Sequence, residues 1–446
     1  MLTRTGYVVK KSTIDVLELK KTLTVRPIEN AVGITPPSFK VFKETKEHIC
    51  VPRYFGIERF GPARETRPEP AKISVKYGGV LRDTTRQNEA FQKGLEAFQT
   101  LGGGVLSLAP GFGKTQVAIA LACKMGLRTI IIVHKEFLAE QWENRIRAFC
   151  SGATIGRIQQ DKCEINCDFS IAMIQTLSLR EHDMKQFDTF GLVIVDEAHH
   201  IGSRAFSQAM FKVCPRFTLG LTATPERKDG LTRLLYWFLG PNFLTVEREN
   251  QSVVKVVPLH FRDEMYKKAP PVNRMGSISV VDIINLLVCI PARNELIIKT
   301  IRDALKQNRK VLFLSDRRSH CFEMEAEFGS LAGLYLGGMK QDQLDESAKK
   351  QLIIGTFALA QEGLDIPTLD TIVLATPHSD VKQAVGRILR ETKGKINNPV
   401  IYDIVDQWSV LMGMYRKRCI MYKEAGFQCE VESAPVPPTK TFAFRL

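Results

Sequence analysis

The sequence predicts an α/β fold with two tandem parallel-sheet domains and a small N-terminal addition. Two series of short apolar runs alternate with segments of helical periodicity, a pattern typical of strands buried on both faces of a sheet. A glycine-rich turn ending in Lys-Thr follows a strand of the first series, and the second series has no counterpart of it. The length of 446 residues fits two or three domains.

The proposed strands can be read directly from the apolar runs. In the first series they are Val105–Leu108, Thr129–Val133, Ser170–Ile174, Leu192–Val195 and Thr218–Leu221. In the second series they are Val311–Leu314, Gly333–Leu336, Leu352–Gly355, Thr371–Leu374 and Val400–Ile404. Parallel strands bring their carboxyl ends to one edge of the sheet, where α/β proteins bind ligands.

Shifts in composition predict the domain boundaries. Prolines punctuate the opening segment and the stretch between the two strand series. The predicted parts are an N-terminal accessory segment (1–75), a first domain (76–245), an interdomain connection (246–291), a second domain (292–430) and an extended tail (431–446). The opening segment could grip nucleic acid, bind a partner or pack as a structural addition, and the sequence leaves these three open.

The charge balance favours nucleic acid as a partner. Lys and Arg number 62 against 48 Asp and Glu, a formal charge of +14, although a solvated basic surface would have the same composition. We expect an intracellular protein without a membrane partner, because the chain has no apolar run of membrane-spanning length and no signal-peptide core near Met1. Most of the ten cysteines lie in apolar segments, which indicates reduced thiols.

The glycine-rich turn predicts a phosphate-binding loop. Such a turn exposes successive backbone N–H groups, and the helix that follows directs its positive end at the same point. The lysine would reach the β- and γ-phosphates of a nucleotide, and the threonine hydroxyl would ligate Mg²⁺. The predicted binding residues are Gly111, Phe112, Gly113, Lys114 and Thr115.

An acidic pair at a later strand exit predicts the catalytic groups. Asp196 and Glu197 follow the strand Leu192–Val195, where Asp196 could hold Mg²⁺ and Glu197 could deprotonate the attacking water. Capping of a helix N-terminus is the alternative reading of such a pair. Three further polar side chains at this edge could couple the nucleotide to the rest of the chain: His199, Thr222 and Thr224.

A basic helix in the second domain predicts a second set of phosphate contacts. Arg387 and Arg390 stand three residues apart and therefore share a helix face. Two guanidinium groups on one face can clamp a γ-phosphate, whereas a solvated basic helix is the plainer interpretation.

Taken in order, these motifs resemble those of superfamily 2 helicases of the DEAH-box type. The set comprises Gly111–Thr115, Asp196–His199, Thr222–Thr224, Glu362–Asp365 and Gln383–Arg390. The motifs around Gln141-Trp142 and Thr224–Leu231 look like the XPB-like branch. Gly337–Lys340, Gly355–Phe357 and Gly6–Ser12 look closer to helicases of large DNA viruses, a group similar to the poxvirus transcript-release helicase.

The resemblance implies two RecA-like domains with ATP and Mg²⁺ in a cleft. It assigns Gly363 and Asp365 to the second wall of the site, completed by Gln383, Arg387 and Arg390. The family often reads adenine with an upstream glutamine, and Gln87 stands nearest, although its offset from Arg82 differs from the usual spacing. Phe357 likewise occupies the usual position of a threonine.

The resemblance also implies an ATP-dependent helicase or translocase that contacts the nucleic-acid backbone without sequence specificity. Candidate contacts at matching strand exits are Lys135, Thr176 and Arg317, for which surface polarity is the alternative. DNA is the favoured substrate. An RNA helicase or transcript-release translocase and a non-hydrolysing nucleic-acid-binding protein are the alternatives, and the sequence does not identify any protein partners.

Overall fold

The computed structural model describes residues 1–28, 37–109, 111–181, 183–198, 204–223, 230–246, 254–273, 276–362, 364, 366–389 and 397–430. The chain divides into two compact units, Met1–Arg248 and Glu249–Leu446. Each unit contains a large, mainly parallel sheet, which confirms the α/β class predicted from the sequence. No helix among these residues is long and apolar enough to span a membrane.

The first unit begins with a small α/β element. Its strands and helices are β1 (Leu2–Thr3), β2 (Gly6–Lys10), α1 (Val16–Thr22), β3 (Thr24–Val25), β4 (Phe39–Lys40), β5 (Lys43–Glu44), β6 (His48–Val51) and α2 (Arg53–Phe60). Strands β1, β2, β6 and β5 form an antiparallel sheet in that order, and β3 pairs with β4.

The main sheet of the first unit follows. Its elements are α3 (Gln87–Thr100), β7 (Gly103–Leu108), α4 (Lys114–Met125), β8 (Thr129–Val133), α5 (Glu136–Phe149), β9 (Ile155–Gln159), β10 (Lys162–Cys163), β11 (Phe169–Met173), α6 (Ile174–Leu179), β12 (Leu192–Val195), α7 (Arg204–Met210), β13 (Phe217–Thr222), α8 (Thr232–Leu239) and β14 (Asn242–Val246). The strand order is β10-β9-β11-β8-β12-β13-β7-β14, and every pair except β10–β9 is parallel.

The small N-terminal element packs on this main sheet through α2. Arg53 is buried and donates from Nη1 to the carbonyl oxygen of Arg216 at 2.6 Å. Phe55 places its ring edge-on against Trp237 of α8, with the ring centroids 5.0 Å apart. Residues 1–60 therefore belong to the first compact unit, and a structural role is established for α2.

The second unit is built from β15 (Lys255–His260), α9 (Val280–Leu287), α10 (Pro291–Lys306), β16 (Val311–Ser315), α11 (Arg318–Phe328), β17 (Ala332–Tyr335), α12 (Gln341–Lys349), β18 (Leu352–Thr356), α13 (Phe357–Glu362), β19 (Thr371–Leu374), α14 (Lys382–Ile388), β20 (Val400–Val405), α15 (Ser409–Glu424) and β21 (Gln428–Cys429). The strand order is β17-β18-β16-β19-β20-β15-β21, with parallel pairs throughout.

The structure differs from the sequence-based expectation at the predicted connection, residues 246–291. This stretch contains β15, which pairs along its whole length with β20, and also α9. Pro258 argued against a strand there, because proline cannot donate to a neighbouring strand. It is accommodated because β21 pairs with Lys255 and Val256, so that among the described residues no strand lies beside Pro258 on that side of β15.

Several polar side chains are buried in the core of the second unit. Arg293 and Asp406 form an ion pair at 2.8 Å with both side chains 0% exposed, and the Tyr266 hydroxyl donates to Asp406 at 2.6 Å. His320 is also fully buried, and its Nδ1 lies 3.1 Å from the Ser315 hydroxyl oxygen.

Candidate nucleotide-binding site

The predicted phosphate-binding loop joins a buried strand to a helix. All six residues of β7 are buried, the strand ends at Leu108, and α4 begins at Lys114. Gly111 and Gly113 have left-handed backbone, with φ of 87° and 81°. The positive φ favours glycine at Gly113, and a Cβ there would lie 2.5 Å from the Gln87 amide nitrogen, so that the Gln87 side chain would have to move.

Lys114 and Glu197 lie in one site, although they belong to different strand exits. The Lys114 Nζ lies 3.4 Å from the carbonyl oxygen of Leu108, to which it donates, and 3.7 Å from Glu197 Oε1. Both side chains are mostly buried, at 12% and 19% exposed. The structure therefore brings together the cation and the carboxylate that the sequence predicted to share a site.

Asp196 is a buried carboxylate at the end of β12. Its Oδ2 accepts a hydrogen bond from the Trp142 indole at 2.8 Å, and its Oδ1 accepts one from the Glu197 backbone at 2.9 Å. Burial, reinforced by the neighbouring Glu197 charge, raises the pKa of Asp196 to about 6, while the Trp142 hydrogen bond and the Lys114 charge oppose the rise. A bound cation would favour the ionised form of this group.

Glu197 has a backbone conformation that residues other than glycine rarely adopt. Its φ is 46°, in the left-handed region, which costs a non-glycine residue about 1–2 kcal/mol. This turn directs its backbone N–H to Asp196 and its carboxylate toward Lys114. Backbone strain of this kind is common at functional sites.

The Trp142 contact is a part of the site that the sequence did not reveal. Trp142 lies within α5, is 1% exposed and donates its only polar hydrogen to Asp196. The motif Gln141-Trp142 contributed to the resemblance and could have pointed to this residue, but it gave no partner for the indole.

Gln87 lies beside the phosphate-binding loop. Its Nε2 donates to the Phe112 carbonyl oxygen at 2.9 Å, and its Oε1 accepts from the Arg82 backbone at 3.0 Å. Gln87 is thus placed next to the predicted phosphate-binding loop, with its amide bonded to backbone on both sides.

The remaining predictions for the first unit concern Thr115, Thr222, His199 and Thr224. Thr115 is the second residue of α4 and is partly buried. Thr222 ends β13, is fully buried and stands beside Ser107 of β7 in the sheet register. His199 and Thr224 lie outside the described residues.

In the second unit, α14 carries two of the predicted residues. Gln383 and Arg387 are both partly buried, and the Arg387 Nε donates to the Ala360 carbonyl oxygen at 2.8 Å. Arg390, Gly363 and Asp365 lie outside the described residues.

Comparison with known proteins identifies the family. A protein of Acanthamoeba polyphaga mimivirus that is named as an ATP-dependent RNA helicase is 33% identical over 430 residues, which cover 91% of this chain and 81% of that protein. This chain belongs to the family of viral ATP-dependent helicases. A helicase of Invertebrate iridescent virus 6 is 28% identical over 79% of this helicase and 83% of its own length.

Two further comparisons agree. Helicase D10 of Escherichia phage T5 is 25% identical over 73% of this chain and 72% of its own length. Residues 81–227 match the family described as type III restriction enzyme, res subunit, and this range contains the phosphate-binding loop and the acidic pair. The protein is an ATP hydrolase of the helicase class.

The three predicted nucleic-acid contacts of the helicase have different surroundings. Lys135 is partly buried just before α5, whereas Thr176 is 8% exposed and its hydroxyl accepts from the Gln160 backbone at 3.2 Å. Arg317 donates to Val281 O at 2.9 Å and to Asp316 O at 3.0 Å, and also to the Asn285 side chain. These bonds hold α9 against the end of β16.

A ring pair at the same edge of the second sheet was not predicted. Phe357 and His378 stack face to face, with centroids 4.5 Å apart and an interplanar angle of 8°. His378 Nδ1 also lies 3.5 Å from Asp316 Oδ2. Phe357 is 1% exposed, which explains how an aromatic ring replaces the smaller threonine expected there.

Proposed function

We propose that the helicase binds ATP at Gly111–Thr115 and hydrolyses it with Glu197 as general base. The observation that carries the proposal is the convergence of Lys114, Asp196 and Glu197 at the carboxyl edge of one parallel sheet. Strands β7 and β12 bring these residues together, with β13 between them. A strand edge with a glycine turn, a lysine and two carboxylates has the components of phosphoryl-transfer sites.

The donor set at this site fits Mg²⁺. The Asp196 carboxylate and the Thr115 hydroxyl offer hard oxygen ligands, and Mg²⁺ is usually held by one or two such groups together with phosphate oxygens and water. The raised pKa of the buried Asp196 indicates a carboxylate that a cation would stabilise. Mg²⁺ would supply positive charge against the β- and γ-phosphates.

The protein groups each have a separate task in this proposal. Backbone N–H groups of the glycine turn bind phosphate oxygens, and Lys114 neutralises charge on the β- and γ-phosphates. Glu197 orients the attacking water and accepts its proton. Gln87 is proposed to contact adenine, which requires it to exchange one of its present backbone hydrogen bonds for the base.

The second unit is proposed to stabilise the charge that develops on the γ-phosphate. Arg387 and Arg390 supply the guanidinium groups, and Gly363, Asp365 and Gln383 complete the contacts. Coupling of the nucleotide state to nucleic acid is assigned to His199, Thr222 and Thr224. We assign these roles from the order of the motifs along the chain.

We propose duplex DNA as the substrate, because the motifs around Trp142 and residues 224–231 look like the XPB-like branch. The basic surplus of the chain suits a phosphate backbone of either kind. RNA is the second candidate, since the mimivirus relative and the relatives from African swine fever virus are named as RNA helicases.

Phosphate release tests the site. Lys114→Ala and Glu197→Gln should each lower nucleic-acid-stimulated ATPase activity by roughly 100-fold or more, since each removes a group that acts in the transition state. Lys93→Ala is the matched control, because Lys93 lies on α3 of the same unit and is 51% exposed. Full activity of either site variant would refute the assignment.

Matched substrates test the choice between DNA and RNA. Duplexes with the same single-stranded extension would be prepared as DNA and as RNA, and both ATPase stimulation and strand displacement would be measured. DNA should stimulate turnover at least tenfold more than RNA at equal salt. If RNA instead stimulated turnover more than DNA, and if Lys114→Ala lacked this stimulation, RNA would replace DNA as the proposed substrate. The assignment of the ATPase site would be retained.

A further inference from the structure

Two cysteines of the first unit lie in contact at the far end of the nucleotide-binding helix. The sulfur atoms of Cys123 and Cys150 are 3.4 Å apart. Cys123 lies in the last turn of α4, whose first residue is Lys114, and Cys150 immediately follows the end of α5, which carries Trp142. Neither thiol takes part in the site described above.

The exposure of the two thiols differs. Cys150 is 1% exposed and belongs to the hydrophobic core, whereas Cys123 is partly exposed at its margin. We therefore expect an oxidant to approach the pair from the Cys123 side. Both cysteines are free thiols in this structure.

A disulfide between these cysteines requires the two sulfurs to approach further. A disulfide needs a bond of about 2.05 Å, so the gap must shorten by roughly 1.4 Å. Cys150 directly follows the last residue of α5, with φ −131° and ψ 81°, and its backbone N–H still donates to the Ile146 carbonyl oxygen at 2.8 Å. Formation of the bond would therefore require the two side chains to rotate toward each other.

The hydrogen bond between the two thiols also favours loss of a proton from one of them. The hydrogen bond with Cys123 lowers the pKa of the Cys150 thiol, whereas the same bond and burial raise the pKa of Cys123. A thiolate is the form that reacts with peroxides and disulfides.

We propose that Cys123 and Cys150 form a reversible redox pair, whose disulfide joins the helix of the phosphate-binding loop to α5. With hydrogen peroxide as the oxidant, a thiolate of the pair attacks one peroxide oxygen, the O–O bond breaks, and a sulfenic acid and hydroxide form. The second thiol then attacks the sulfenic sulfur, the S–S bond forms, and water leaves. Overall, two thiols and one peroxide give one disulfide and two waters.

The expected consequence is a more stable first unit. The two cysteines are 27 residues apart in sequence, and the closed loop contains β8 and α5. A cross-link over a loop of this size restricts the unfolded chain, and we expect the melting temperature of the first unit to rise by roughly 5 °C. Dithiothreitol should reverse the shift.

Peptide mapping of the full-length protein tests the link. Tryptic cleavage releases residues 115–124 and 148–157, each containing one cysteine of the pair. After brief treatment with hydrogen peroxide, these two peptides should appear as one cross-linked species without reduction, and as two peptides after reduction. Thermal unfolding is measured on the same samples.

Matched variants separate the pair from the other thiols. Cys123→Ser and Cys150→Ala should each abolish the linked species and the peroxide-dependent thermal shift, whereas Cys163→Ser should change neither, because Cys163 is an exposed thiol. The proposal fails if wild-type protein leaves the two peptides unlinked under conditions that oxidise Cys163. It also fails if Cys123→Ser retains the thermal shift.

Discussion

At the scale of single residues, Asp196 shows how the site balances burial against charge. Its carboxylate is 6% exposed, and its ionised form is supported by the Trp142 indole, the Glu197 backbone N–H and the Lys114 charge. A hydrogen bond to a charged group contributes about 1.5–3 kcal/mol. Each such bond is therefore a large fraction of the free energy of unfolding of a domain. Small changes around Asp196 should therefore have measurable effects on activity.

Replacement of Trp142 by Phe tests this balance. The substitution keeps an aromatic ring in the core but removes the indole N–H that donates to Asp196 Oδ2. The ionised carboxylate loses support, its pKa rises above 6, and the acid limb of the ATPase pH profile should move to higher pH. We expect activity at neutral pH to fall by roughly tenfold.

Steady-state ATPase rates across the pH range measure this effect. Trp408→Phe is the matched control, because Trp408 is another buried tryptophan that donates to a carbonyl oxygen, that of Lys268, at 2.9 Å. An unchanged acid limb in Trp142→Phe would show that the hydrogen bond does not support the ionised carboxylate.

The sequence was sufficient to predict that residues carried by local motifs at neighbouring strand ends lie together. Lys114 and Glu197 were predicted together because each follows a recognisable strand, and parallel strands end at one edge. The contact of Trp142 with Asp196 joins residues 54 positions apart and depends on the rotamer of a core side chain, which no local pattern encodes. Arg317 turns toward α9, a helix that the sequence had assigned to a connection.

At the scale of elements, α2 fastens the N-terminal element to the first main sheet. Phe55 is 8% exposed and packs edge-on against Trp237 of α8. Phe55→Ala should destabilise the first unit by about 3 kcal/mol, because it leaves a cavity between two packed helices. Urea unfolding followed by tryptophan fluorescence would measure the loss.

Leu17→Ala is the control for this prediction. Leu17 belongs to the same N-terminal element but is 82% exposed, so its substitution should change stability by no more than about 0.5 kcal/mol. Equal effects of the two substitutions would mean that α2 does not stabilise the sheet through Phe55.

Most of the central strands could be predicted, and the reason is their burial. The strands Thr129–Val133, Leu192–Val195 and Thr371–Leu374 have the predicted bounds, because strands covered on both faces appear as continuous apolar runs. Strand β15 was missed because its proline suggested a connection. Its pairing with β20 is a long-range contact that composition alone does not reveal.

At the scale of the whole molecule, a fall in pH should destabilise a protein that already carries a formal charge of +14. His320 contributes to this sensitivity, because burial and the nearby Arg293 charge lower its pKa from 6.5 to about 3. The unfolded chain binds this proton below pH 6.5 and the folded unit binds it only near pH 3. Stability is therefore fully present above pH 6.5 and is lost progressively as the pH falls toward 3.

The predicted loss from His320 alone is about 2 kcal/mol at pH 5. Thermal unfolding of wild type and His320→Asn between neutral and acid pH would measure it, since asparagine can keep a hydrogen bond to Ser315 without titrating in this range. Acid should lower the melting temperature of the second unit less in His320→Asn than in the wild type. Parallel pH curves for the two proteins would contradict the role of His320.

The pairing of β15 with β20 has a practical consequence for dissecting this helicase. A fragment that starts at Pro291 would omit β15 and leave the backbone groups along β20 uncovered. Open strand edges recruit other chains, so such a fragment would aggregate for reasons unrelated to its own core. Expression of the second unit by itself should begin at or before Val254, where the chain enters its sheet.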